Sequence, residues 1–81
     1  MPGRTSLEDA INRVHAFFVT QAVGGTLTKW EVLSAAEDVA KGVYVIKCVE
    51  HGYMENDRTH EVWVSVSEGR IDMQRRTDTK H

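Results

Sequence analysis

Thr26-Leu27-Thr28-Lys29-Trp30-Glu31-Val32-Leu33-Ser34-Ala35-Ala36-Glu37-Asp38-Val39-Ala40-Lys41 is the stretch on which the architecture turns. Read as a strand over Leu27 to Leu33, it carries Trp30 and Val32 on one face and leaves Ser34 to Gly42 as a connection. Read as a helix, it has Thr28 as cap, Glu31 at the third position, a stripe of Val32, Ala36 and Val39, and Gly42 past its end. Helix propensity favours the second reading from Ala35 to Lys41. The strand reading lets a meander of four short strands pack on one helix, whereas the helix reading leaves three strands under two helices. We therefore expect an α+β domain, one N-terminal amphipathic helix packed on an antiparallel sheet of about four strands, with two helices and three strands as the alternative.

Upstream, Thr5-Ser6-Leu7-Glu8 reads as a capping box that opens a helix, with the Thr5 oxygen accepting a first-turn N–H. Leu7, Ile11, Val14 and Phe18 recur at helical spacing, and Ala10, Phe17 and Ala22 widen the stripe. Gly24-Gly25 ends the element, near Ala22 or Val23. Downstream, Gly42 to Glu50 is a strand with Val43, Val45 and Val49 on one side and Tyr44, Ile46 and Cys48 on the other, so both faces read as buried. Val62, Val64 and Val66 alternate with Glu61, Trp63, Ser65 and Ser67 in the period of a half-buried strand. With Glu68-Gly69 as a two-residue turn, Val66 faces Ile71, Val64 faces Met73 and Glu61 faces Arg76. The expected core is then Leu7, Ile11, Val14, Phe18, Val62, Val64, Ile71 and Met73. Register across His51 to Arg58 stays open.

An 81-residue chain with 41% apolar and 27% charged residues fits a single domain over 1–81, with Thr77 to His81 expected to fray. Met1-Pro2-Gly3-Arg4 leads into a polar helix start without an apolar targeting core, and no apolar run approaches the roughly 20 residues that span a bilayer. A single cysteine, Cys48, allows no internal disulfide, so a cytoplasmic setting is expected. The net charge of −2 conceals a mildly basic end: residues 1–68 carry six Lys/Arg against ten Asp/Glu, residues 69–81 four against two. No dense positive stripe of the kind phosphate contacts require is present.

Few residues suggest chemistry. Cys48 lies between Ile46 and Val49 in an apolar strand and reads as a small buried hydrophobe. His51 and His60 flank a loop that holds Glu55 and Asp57, with Glu50 just before it, but their spacing matches no established metal pattern, and no cofactor or metal is expected. His15, at the edge of the helical stripe, either caps the core margin or, with Phe18 and Trp30, lines a pocket between helix and sheet. Arg70, Arg75, Arg76 and Lys80 form a basic edge, interleaved with Glu61, Glu68, Asp72 and Asp78 in a pattern of paired surface charge.

The order of helix and meander resembles that of the small cystatin-like and PepSY-type domains, in which one helix lies across a curled antiparallel sheet. Glu61 to Ile71 is similar to the final hairpin of PepSY-type domains. The resemblance carries over no functional residue and implies a domain that binds or regulates. The leading expectation is a non-enzymatic binding or protein-interaction module, a homodimer or a partner of another protein. Its candidate surface is Trp63, Val43, Val45 and Val49, on the face that one helix cannot cover. A small-molecule or catalytic pocket near His15 is the second class, and nucleic-acid binding through the C-terminal hairpin the third.

Overall fold

The computed structural model describes residues 3–21, 29–51 and 57–77. It is an α+β fold: helix α1 (Leu7–Gln21) packs on a four-stranded antiparallel sheet of β1 (Lys29–Asp38), β2 (Val43–His51), β3 (Arg58–Ser65) and β4 (Ile71–Arg76). The strands lie in sequence order, β1-β2-β3-β4, each paired with its neighbour. The alternative with a second helix is thereby overturned. The residues read as a connection, Ser34 to Asp38, continue β1 and pair with Lys47 through Val43 of β2. Local helix propensity over Ala35–Lys41 loses to a full cross-strand ladder, and only Val39–Gly42 turns. In that turn Asp38 accepts from the N–H groups of Lys41 and Gly42, and Gly42 takes a φ of 69°, a left-handed conformation that suits glycine.

Helix α1 starts one residue later than the capping box predicts. Ser6 is the cap: its Oγ accepts the Asp9 N–H at 3.0 Å, and its carbonyl accepts the Ala10 N–H at 2.9 Å. Thr5 serves the sheet instead. Its N–H donates to the Val66 carbonyl at 2.7 Å, and its carbonyl accepts the Tyr44 hydroxyl at 2.8 Å. The buried helical stripe is Ala10, Val14 and Phe18, flanked by partly buried Ile11 and Phe17. Leu7, expected in the core, is 36% exposed, because the stripe begins a turn further along. Ala22 to Thr28, including the Gly24-Gly25 stop, and the turn formers Gly52 and Asn56 lie outside the described residues.

The helix covers one face of the sheet. Tyr44, Ile46 and Cys48 of β2, with Val62 and Val64 of β3, form the buried core beneath it, and Trp30, Val32, Ala35, Val66 and Ile71 pack at its margin. Two bulges set which residues reach this face. Leu33 is the extra residue between Val32, opposite Cys48, and Ser34, opposite Lys47. After it the inward parity switches from even to odd, so that Ala35 rather than Ala36 lies across from Ile46.

Asp72 is the extra residue of the second bulge, since Ile71 pairs with Val64 and Met73 with Trp63. The two-residue Glu68-Gly69 turn and its register are therefore corrected. Ser65 donates to the Arg70 carbonyl at 2.8 Å and closes a loop of Val66 to Gly69, in which the Gly69 N–H returns to the Ser65 carbonyl. Val66, just past β3, donates its N–H to the Gly42 carbonyl at 3.0 Å. As a result Met73 moves out of the expected core to the opposite face, and Glu61 faces Arg75 instead of Arg76. Thr77, in the tail expected to fray, donates its N–H to Thr59 at 2.9 Å; the following residues lie outside the described set.

Candidate functional site

Strand alternation puts Val43, Val45, Lys47, Val49 and His51 on the side of β2 away from the helix. Thr59, Glu61, Trp63 and Ser65 of β3 lie beside them, Ala36 and Ser34 on β1, and Met73 and Arg75 on β4. All four residues of the expected interaction surface thus share this outer face. Val43 and Val49 are each only 5% exposed, shielded by their neighbours on the sheet. Val45, Trp63 and Met73 are half-buried, and they supply the apolar area still facing water. Among the described residues no helix or strand packs over it.

Two contacts fix the indole of Trp63. Its Nε1–H donates to Glu61 at 2.7 Å, and Lys41 Nζ sits 5.6 Å from the ring centroid. Glu61 is held below the usual carboxylate range, first by that indole N–H, then by the Arg75 guanidinium at 3.4 Å and the charge of Lys47. Charge and apolar surface are therefore sorted into rows. Ala36, Val45, Trp63 and Met73 lie side by side across the four strands, and Ser34, Lys47, Glu61 and Arg75 form the next row. Sequence reading missed Met73 because the Asp72 bulge reverses the parity of β4, and Ala36 because Ser34 to Gly42 reads as a connection rather than as strand. Lys47 was legible, since it shares odd parity with Val43, Val45 and Val49.

The candidate pocket residues do come together, but as packed rings. His15 is exposed and stacks on Trp30 with centroids 4.8 Å apart and planes 8° from parallel. Phe18 lies 6.3 Å from the same indole and 4.7 Å from the ring of His60. His15 therefore roofs the core margin. An open depression of about 380 Å³ lies elsewhere, lined by Gly3, Arg4, Gly42, Val66 and Ser67. Arg4 beside it is engaged with Glu37 and lies 3.4 Å from the Tyr44 hydroxyl.

The two loop histidines diverge. His60 points toward the helix, 5% exposed, with Nε2 donating to Glu50 at 2.9 Å and Nδ1 accepting from Gln74 at 3.1 Å. His51 points to the outer face, between Asp57 at 2.9 Å and Glu31 at 3.2 Å. Each histidine thus has its own carboxylate partners on its own side of the sheet, and among the described residues no cluster of three or more His, Cys, Asp or Glu side chains could hold a metal ion. Cys48 is fully buried, and desolvation pushes its thiol up to about 11, although the Trp30 side chain opposes the shift. A thiol so disfavoured as thiolate is a poor nucleophile. In the basic hairpin Arg70 pairs with Glu68 at 2.6 Å and Asp72 at 3.0 Å, and Arg75 with Glu61, so these cations are matched locally.

Among the described residues no helix is long and apolar enough to cross a membrane. No family model, no curated protein and no solved structure matches the chain.

Proposed function

We propose that this chain is a non-enzymatic protein-interaction module that works through the outer face of its sheet and pairs there with a second copy of itself. The observation that carries the reading is the apolar row of Ala36, Val45, Trp63 and Met73 on the face opposite the helix. Four strands about 4.8 Å apart and some eight residues long present roughly 500 Å² of flat face. Two such faces bury on the order of 1,000 Å², where specific association begins.

Pairing by strand edges is the less favourable mode. Both edge strands, β1 and β4, carry a bulge, and β4 bears Asp72, Arg75 and Arg76, devices that blunt edge-to-edge addition. The order of helix and meander, like that of cystatin-like and PepSY-type domains, fits a role in binding. Trp63→Glu tests the reading, because it places a charge at the centre of the apolar row. Sedimentation across low to high micromolar concentrations should show self-association for the parent chain and a monomer for the variant. Equal association of the two would remove Trp63 and its face from the account.

A further inference from the structure

The outer face carries its charges in an order that discriminates between the ways two copies can meet. On the two central strands Lys47 lies directly across from Glu61, and Val45 directly across from Trp63. Face-to-face packing that keeps the strands of two identical sheets aligned admits two kinds of two-fold axis in the plane between them. One runs along the strands, the other across them.

An axis along the strands, midway between β2 and β3, lays β2 of each copy over β3 of the other and keeps every row facing the same row. Lys47 then stands opposite Glu61 of the partner subunit, and Glu61 opposite the partner's Lys47. Val45 and Trp63 meet in the same reciprocal way, as do Ala36 and Met73 further out. An axis across the strands gives none of this. Through the charged row it sets Lys47 on Lys47, Glu61 on Glu61 and Arg75 on Arg75. Through the apolar row it sets Lys47 on Val43 and Glu61 on Ser65, and midway between the rows it sets Lys47 on Val45 and Glu61 on Trp63. Like charges in contact, or charges buried without partners, strongly disfavour an interface.

We propose that two copies associate about a two-fold axis parallel to the strands between β2 and β3, joined by reciprocal Lys47–Glu61 and Val45–Trp63 contacts. The inference rests on the reading of the outer face as the surface of self-association. Aligned sheets cross at about 30°. That rotation displaces the middle strands least, and all four named residues are on them. Lys47 is exposed, with its charge beside Glu61 of its own chain, and Glu61 is positioned by the Trp63 indole and Arg75.

Lys47→Glu and the double variant Lys47→Glu/Glu61→Gln test the axis by sedimentation equilibrium, with circular dichroism confirming the fold of each. Glu61→Gln keeps an oxygen for the Trp63 N–H. In Lys47→Glu the new carboxylate meets Glu61 of the partner subunit, so the dimer should weaken by about tenfold or more at low salt. The double variant removes that repulsion and should recover to within about threefold of the parent. Association of Lys47→Glu at parental strength, or a double variant as dissociated as the single one, would overturn the axis while leaving the outer face as the binding surface. A parent chain that is monomeric throughout would overturn both.

Discussion

Met73 pairs with Trp63 across β3 and β4, on the side of the sheet that the helix does not reach. The neighbouring Ile71 pairs with Val64 and faces the helix, so the bulge at Asp72 divides the apolar residues of one short strand between two faces. One consequence is a core poorer by a methionine. The other is an outer face richer by one, which widens the apolar row at its β4 end.

Phe18 is the side chain on which the helix–sheet junction depends most, with its ring against Trp30 on one side and His60 on the other. Removing a buried ring costs about 3 to 5 kcal/mol, a large part of what a domain of this size possesses. Urea unfolding of Phe18→Ala should show the midpoint falling sharply or no cooperative transition at all. A midpoint close to the parent's would contradict the packing described.

Gly69 and Gly42 both have positive φ, 71° and 69°, yet their surroundings differ. A Cβ on Gly69 would come within 2.9 Å of Arg13 Nε and 3.0 Å of Thr5 Oγ1, whereas one on Gly42 would meet open space. Alanine at either position incurs the left-handed backbone cost of about 1 to 2 kcal/mol. Gly69→Ala should lose more than Gly42→Ala in thermal unfolding, the excess measuring how tightly the hairpin turn sits beneath Arg13. Equal losses would mean that the Arg13 side chain moves aside freely.

The type and order of the elements were largely legible in the residues, and so was the sorting of Tyr44, Ile46 and Cys48 from Val43, Val45 and Val49. Alternation is a local signal and survives wherever a strand is regular. What could not be read was local irregularity with a distant cause. The Leu33 and Asp72 bulges depend on which neighbours the ladders bring opposite, and nothing in Val32-Leu33-Ser34 or Ile71-Asp72-Met73 marks them. Ser34–Asp38 is strand only because β2 offers it a full partner, against its own helix propensity. Thr5 gave up the cap to Ser6 for bonds to Val66 and Tyr44, which are remote in sequence. The outer face was legible in Trp63 and the β2 valines; its rows required the register.

His51, with a carboxylate at each ring nitrogen, is favoured as the imidazolium; its pKa is raised, first through the bond to Glu31 and, against some desolvation, by Asp57. A pKa raised by folding stabilises the fold below the unfolded value, about 6.5, and that contribution is lost as pH rises through the folded value. Glu31 has the opposite sign. Its pKa is lowered, first by His51 and then by Lys29, so its contribution exists above the ordinary carboxylate range and disappears as pH falls through the folded value. NMR titration should place the His51 midpoint above 6.5, and Glu31→Gln should bring it down. An unmoved midpoint in the variant would show that the Glu31 bond is not what raises it.

Self-association through the outer face is tested most directly by backbone amide shifts recorded against protein concentration. Between low and high micromolar, the resonances of Val45, Lys47, Glu61, Trp63 and Met73 should move together along one binding curve while those of α1 stay fixed. Shifts that do not change with concentration, or that move on the helix instead, would contradict it.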